Sequence, residues 1–269
     1  MDILWEILLI KNFIIFYFFY FIMIPKKIHY VRIWWKEMPD LAKKCIESWK
    51  KYLPDYELCL WDEKNFDLNS NKYVKQAYEA KKFAFIWDYI RVWAMYNYWW
   101  ISMDTDVEVL KNLDLFLNSK WFSWFESKDT IPTWIMASEK GNKFIWDILN
   151  RYNDREFDSN NLIPNTVTIT DIARKKYWFK WWCDELIKLK NDMYEFYPKN
   201  YFCPLDHNDP IPNYQKCVKD KNCYTIHRFT WSWLWKSKTR KFIENVILRI
   251  LKKIHLYDFW KKVYYNIFK

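Results

Sequence analysis

Asp104-Thr105-Asp106 sets two carboxylates two residues apart, a supply of hard oxygen ligands from one short turn of chain. Such a pair can hold a divalent cation, Mn²⁺ or Mg²⁺, whose remaining positions are filled by water and diphosphate oxygens. A cation held there would neutralise charge on a departing nucleoside diphosphate. By itself the pattern is weak, because a solvated acidic turn has the same composition. Asp88 and Arg91 lie three apart in a stretch of helical character and therefore share a face, where they could grip a polar ligand or pair with each other. His227 is a candidate third metal ligand, or else a structural histidine. Cys217 and Cys223 near His227 raise the question of zinc, but no CxxC pair completes a tetrahedral site.

These residues need elements to hold them. Lys27-Ile28-His29-Tyr30-Val31 reads as a strand, followed by a turn at Trp34-Trp35 and a helix entered at Pro39, where proline costs nothing. Leu41, Ala42, Cys45, Ile46, Trp49 and Leu53 recur at helical spacing until Pro54-Asp55 ends the run, and Tyr56 to Trp61 reads as a second strand. This is a β-α-β opening. Residues 71 to 98 read as helix in two pieces, and Ile101-Ser102-Met103 as a strand that delivers Asp104 at its C-terminal end. Open α/β sheets place ligand sites at such strand ends. Past an indistinct middle section come a proline-interrupted loop, Tyr197 to Pro212, and a short strand, Tyr224 to His227.

The chain of 269 residues carries a formal charge of +10, but residues 236–269 hold ten Lys or Arg against Glu244 and Asp258, so the tail alone accounts for +8. The remainder is nearly neutral, which argues against a nucleic-acid-binding domain and confines the basic character to one segment. In that tail Ile243, Val246, Ile247, Ile250, Leu251, Ile254 and Tyr257 fall on one helical face, suiting either an anionic membrane surface or packing on the domain. Residues 12–24 are apolar and aromatic, but too short to span a bilayer, which takes about twenty residues. Residues 1–23 therefore read as a short anchor or as an extension upstream of a start at Met23. The six cysteines read as reduced thiols in a cytoplasmic protein.

One glycine, Gly141, stands beside twenty tryptophans. Ordinary usage near 7% would supply roughly nineteen glycines, and turns and helix ends that need positive φ are hard to build without them. Tryptophans pair where turn residues belong, at Trp34-Trp35, Trp99-Trp100 and Trp181-Trp182. The composition suggests that UGA, read as glycine in the native host, has been rendered as tryptophan at many positions.

Five stretches, IPKKIHYV (24–31), LAKKCIESWKKYLPDYE (41–57), YVKQAYEAKKFAFIWDYIRVWAMYNYWWISMDTDVEVL (73–110), YPKNYFCP (197–204) and YTIHRFTWSWL (224–234), resemble the family 32 glycosyltransferases. These DXD-containing sugar transferases include bacterial capsular polysaccharide enzymes and yeast mannosyltransferases. The resemblance covers roughly residues 24–235. It implies that Asp88 and Arg91 contact the donor sugar, Asp104 and Asp106 the sugar and the metal, and His227 the metal or diphosphate, with Ser232 and Trp233 in a loop closing on the diphosphate. Trp99-Trp100 and Trp34-Trp35 stand where the family has glycine pairs, and Trp231 where glycine is common. Genuine indoles at 99 and 100 would be expected to crowd the approach to Asp104.

The expectation is a single GT-A-like α/β catalytic domain over residues 24–235, a nucleotide-binding sheet flanked by helices, with a basic amphipathic tail at 236–269. The resemblance implies a metal-dependent, retaining transfer from a nucleotide sugar, UDP-linked first and GDP-mannose second, to a glycan or lipid-linked glycan acceptor in surface polysaccharide synthesis. Double displacement and same-face attack both stay open. The expected location is cytoplasmic, with the tail at the inner face of the membrane. The rivals are a degenerate protein that binds donor without turnover, and a basic membrane- or nucleic-acid-binding protein.

Overall fold

The computed structural model describes residues 24–33, 37–126, 130–177, 187–189, 194–205 and 211–229. The expectations for residues 1–23, Trp34-Trp35, Trp181-Trp182, Trp231, Ser232, Trp233 and the 236–269 tail lie outside them. Strand β1 (Lys27–Val31), helix α1 (Asp40–Tyr52) and strand β2 (Glu57–Trp61) form the expected β-α-β opening, with the two strands parallel. Pro39 caps α1, and its buried face is Ala42, Cys45, Ile46 and Trp49, the periodicity the sequence carries. The Trp49 indole donates to the Val107 carbonyl at 2.7 Å and so fixes α1 to the chain beyond Asp106.

The 71–98 region divides into α2 (Lys72–Glu79) and α3 (Phe83–Tyr98), broken where Lys81 takes a positive φ of 57°. Strand β3 (Trp100–Met103) then pairs parallel with β1, and β4 (Val107–Val109) follows the Asp104-Thr105-Asp106 turn. The middle section resolves into β5 (Trp121–Trp124), β6 (Ile135–Ser138), α4 (Lys143–Asn153) and α5 (Asn165–Tyr177), and then β7 (Ile187–Leu189) and β8 (Tyr194–Tyr197). The main sheet has the order β2-β1-β3-β6-β5-β8-β7. Strands β2, β1, β3, β5 and β8 run one way, β6 and β7 the other. Helices pack on this mostly parallel sheet, as expected for the α/β class. The proline-interrupted loop is partly helical, with α6 (Lys199–Phe202) inside it and α7 (Ile211–Lys219) beginning at its end. Finally β9 (Thr225–His227) pairs antiparallel with β4 in a separate two-stranded ribbon.

Two apolar clusters cover the sheet. One joins α3, α4 and α5, with Ile86, Ile90, Ile145 and Ile169 fully buried; the other joins α1 to β3 and β4 through Trp49, Ile101, Val107 and Phe116. Among the described residues, no helix is long and apolar enough to cross a membrane. Among the described residues Cys45, Cys59, Cys203 and Cys223 are free thiols.

The expectation of crowding at Asp104 fails for Trp100 by strand geometry. Trp100 begins β3 and Asp104 follows its end, so about 13 Å of extended chain separates them at ~3.3 Å per residue. The Trp100 ring stacks on His29 instead, with centroids 3.8 Å apart. His29 is buried against Trp61 as well, and burial with the nearby Lys27 charge pushes its pKa down to about 3, so it is a neutral core histidine. Trp99 ends α3 in the left-handed region at φ 64°, a position that costs a residue with a Cβ about 1–2 kcal/mol.

Candidate active site

Three segments converge beyond the C-terminal end of β3. The turn after β3 is held by the Asp104 amide, which donates to the Trp134 carbonyl at 2.8 Å, and by the Val107 amide, which donates to the Asp104 carbonyl at 3.0 Å. The β4–β9 ribbon sets Val107 opposite His227 in register. The Arg228 amide extends the pairing to the Asp106 carbonyl at 2.8 Å. This pairing brings the His227 Nε2 to 3.1 Å from Asp106 Oδ1 across 121 residues of sequence.

Ligand atoms of Asp104, Asp106 and His227 all lie within 4.8 Å of one another, the one metal-competent group of three among the described residues. Ligands about 2.1 Å from a common ion and at right angles to it lie about 3 Å apart, which matches the Asp106–His227 separation. The residues thus fit a hard divalent cation. His227 faces Asp106, and among the described residues the metal-competent group that it joins is this one. Burial opposes charge on the His227 ring, yet the Asp106 carboxylate beside it, supported by Asp104 and Glu126, holds its pKa above the ordinary imidazole value.

Asp88 and Arg91 do share a face of α3, and they reach the same site. The Arg91 guanidinium is buried and donates to Asp88 at 3.2 Å, to Thr133 Oγ1 at 2.5 Å, and to Asp104 in a close ion pair. Burial disfavours its charge, but the two carboxylates hold its pKa up. Asn165, the first residue of α5, donates its side-chain amide to both Asp88 Oδ1 and Thr133 Oγ1. Burial pushes the Asp88 carboxyl up to about 7 against the pull of Arg91. Burial also raises Asp104, again opposed by Arg91.

The structure therefore brings together five sequence candidates, Asp88, Arg91, Asp104, Asp106 and His227; Ser232 and Trp233 lie outside the described residues. Two partners were missed, Thr133 and Asn165. Pro164 before a helical run marks the start of α5 and could have flagged Asn165, whereas nothing in the sequence singles out Thr133. Trp134 was missed too: its ring stacks on His227 with centroids 4.7 Å apart and planes 15° from parallel.

Residues 39–124 match the family described as a glycosyltransferase sugar-binding region containing the DXD motif. The chain accordingly carries a transferase region, and the match includes Asp88, Arg91, Asp104 and Asp106. No curated protein is significantly similar to the chain. Solved structures that resemble it include PaToxG glycosyltransferase, 18% identical with a TM-score of 0.47 over 57% of this chain and 69% of that one. Another is a glycosyltransferase involved in the glycosylation of the major capsid of PBCV-1, 14% identical with a TM-score of 0.44 over 76% of this chain and 94% of that one.

Proposed function

We propose that the chain transfers a sugar from a nucleotide-sugar donor to a glycan acceptor, with Asp104, Asp106 and His227 holding Mn²⁺ or Mg²⁺. The observation that carries this reading is the meeting of those three ligands, drawn from segments 121 residues apart, inside a fold whose matched region is a DXD sugar-binding one. When bound, the cation offsets the charge of the diphosphate leaving group. Arg91 keeps Asp104 oriented through their ion pair, so the carboxylate is set before donor arrives. With Asp88 Oδ1 taken by Arg91 and Asn165, Oδ2 is the atom for a donor-sugar hydroxyl. In the net reaction the bond from the anomeric carbon to the diphosphate oxygen breaks, releasing the nucleoside diphosphate, and a bond from that carbon to an acceptor hydroxyl oxygen forms, the hydroxyl proton leaving with the diphosphate or to water.

Resemblance to family 32 supports a retaining outcome and a role in surface polysaccharide synthesis, with UDP-sugars as first donors to try and GDP-mannose second. The basic tail favours a cytoplasmic enzyme bound at the inner face of the membrane. The test is a donor-hydrolysis screen across UDP- and GDP-sugars with manganese, on the chain as written and on a version with glycine at positions 34, 35, 99, 100, 181, 182 and 231. Turnover of at least one donor is expected, abolished by excess chelator. Turnover that survives chelation would refute the metal, and none from any donor in either version would favour the degenerate donor-binding reading.

A further inference from the structure

Six of the described tryptophans differ in how their indole nitrogens are met. Trp49 and Trp61 donate their indole N–H groups, to the Val107 carbonyl at 2.7 Å and to His29 Nδ1 at 2.5 Å, and each is fitted to its place as a tryptophan. The buried indole nitrogens of Trp99, Trp121, Trp124 and Trp134 find no acceptor among the described residues. An indole N–H can only donate, so each of these is a buried donor left unpaired, and native interiors rarely tolerate one.

Two of these residues carry a second anomaly. Trp99 sits at the C-terminal end of α3 with φ 64°, a helix-end conformation most often filled by glycine. Gly141, the sole glycine, also has positive φ, at 69°. Lys81 in an exposed turn and Phe229 at φ 45° adopt positive φ as well, but neither ends a helix with a buried indole nitrogen left unpaired. Trp134 has the opposite problem. Its backbone carbonyl fixes the Asp104 amide, while its indole lies flat against His227 and edge-on to Trp124, centroids 4.4 Å apart, filling the space beside a candidate metal ligand. With one glycine in 269 residues, both positions fit the same cause.

We infer that residues 99 and 134 are glycine in the native protein, read from UGA codons, and that the volume taken by the Trp134 indole beside His227 belongs to the donor. The second half rests on the proposed transferase function; the first does not. A glycine at 134 keeps the carbonyl that holds Asp104, because that contact is made by backbone. It removes the ring that covers one face of the imidazole. A glycine at 99 ends α3 without strain, because it has no Cβ to oppose positive φ.

Tandem mass spectrometry of peptides spanning residues 99 and 134, from protein isolated from its native cells, decides the first half without reference to activity. Glycine at both positions is expected, and tryptophan at either overturns that half for the position concerned. For the second half, recombinant chains with Trp or Gly at 134, both with Trp99→Gly, are titrated with UDP and with GDP in the presence of manganese. Trp134→Gly should bind one of the nucleotides at least tenfold more tightly. Equal or weaker binding, with unchanged circular dichroism, would show that the ring serves as a platform for His227 and overturn the donor-space assignment. If Trp134→Gly does not fold, Trp134→Ala answers the same question, because it too uncovers the imidazole.

Discussion

Asp88 and Asp106 are three helical turns and a strand apart in sequence terms, yet they end in one candidate site, and the duties proposed for them are separable. Asp88→Asn removes charge-assisted hydrogen bonds worth about 1.5–3 kcal/mol each while preserving shape. Transfer should fall roughly ten- to a hundredfold, at about 1.4 kcal/mol per factor of ten, while manganese-dependent binding of free nucleoside diphosphate stays nearly unchanged. Asp106→Asn should weaken that diphosphate binding directly; calorimetry on both variants would expose a reversed assignment. Protons give a second handle. His227 must be neutral to ligate a metal, and Asp106 holds its pKa above 6.5, so manganese affinity should rise with pH through that raised value and fall away as acid protonates the ring. Titration at about pH 6 and about pH 8 checks this, and a pH-independent affinity would exclude His227 as a ligand. At this scale the sequence was legible where spacing decides the outcome: Asp104 and Asp106 across one residue, Asp88 and Arg91 across one helical turn. It was silent on Thr133 and Asn165, because their link to Asp88 and Arg91 is tertiary, closing over 77 residues in the case of Asn165 and Asp88.

Among the elements, the β4–β9 ribbon is what turns two carboxylates into a three-ligand group. Ile226, fully buried beside Cys217 and Cys223, anchors β9 at the residue before His227. Ile226→Ala should cost about 2–5 kcal/mol of stability and reduce metal-dependent nucleotide binding with it. His227→Ala should reduce binding with little change in melting temperature; if Ile226→Ala destabilises the fold but leaves binding intact, the ribbon does not position the site. Elements with a plain periodicity were readable, as in α1 with Ala42, Cys45, Ile46 and Trp49. Helix α4 carried the same kind of signal, an Asn142 cap followed by Phe144, Ile145, Ile148, Leu149 and Tyr152, and was passed over within the indistinct middle section. Strands β5 and β6 offered less to read. Both are buried at every position, so no alternation of apolar and polar residues marks them out from any other apolar run. Crowding at Asp104 was expected because Trp99-Trp100 stand where the resembled family has a glycine pair, and for Trp100 the rise of β3 removes it.

For the molecule as a whole, the basic residues and the candidate site fall in different parts of the sequence. Ten of the 43 Lys and Arg residues lie in 236–269, while the site beyond the end of β3 carries its own ion pairs, Arg91 with Asp88 and with Asp104. Deleting residues 237–269 should release the protein from vesicles rich in anionic lipid, since each basic residue near such a surface contributes about 1 kcal/mol, and should spare donor hydrolysis. Unchanged vesicle binding would move the anchor to the N-terminal segment. The account as a whole depends on a cation-dependent diphosphate site at Asp104, Asp106 and His227. Calorimetric titration of UDP and GDP, with manganese and with chelator, tests it most directly, on both versions of positions 99 and 134 and on Asp106→Asn and His227→Ala. One nucleotide should bind only with manganese, and both site variants should lose that binding while keeping their fold. Binding that persists in chelator, or that neither substitution weakens, would contradict the site.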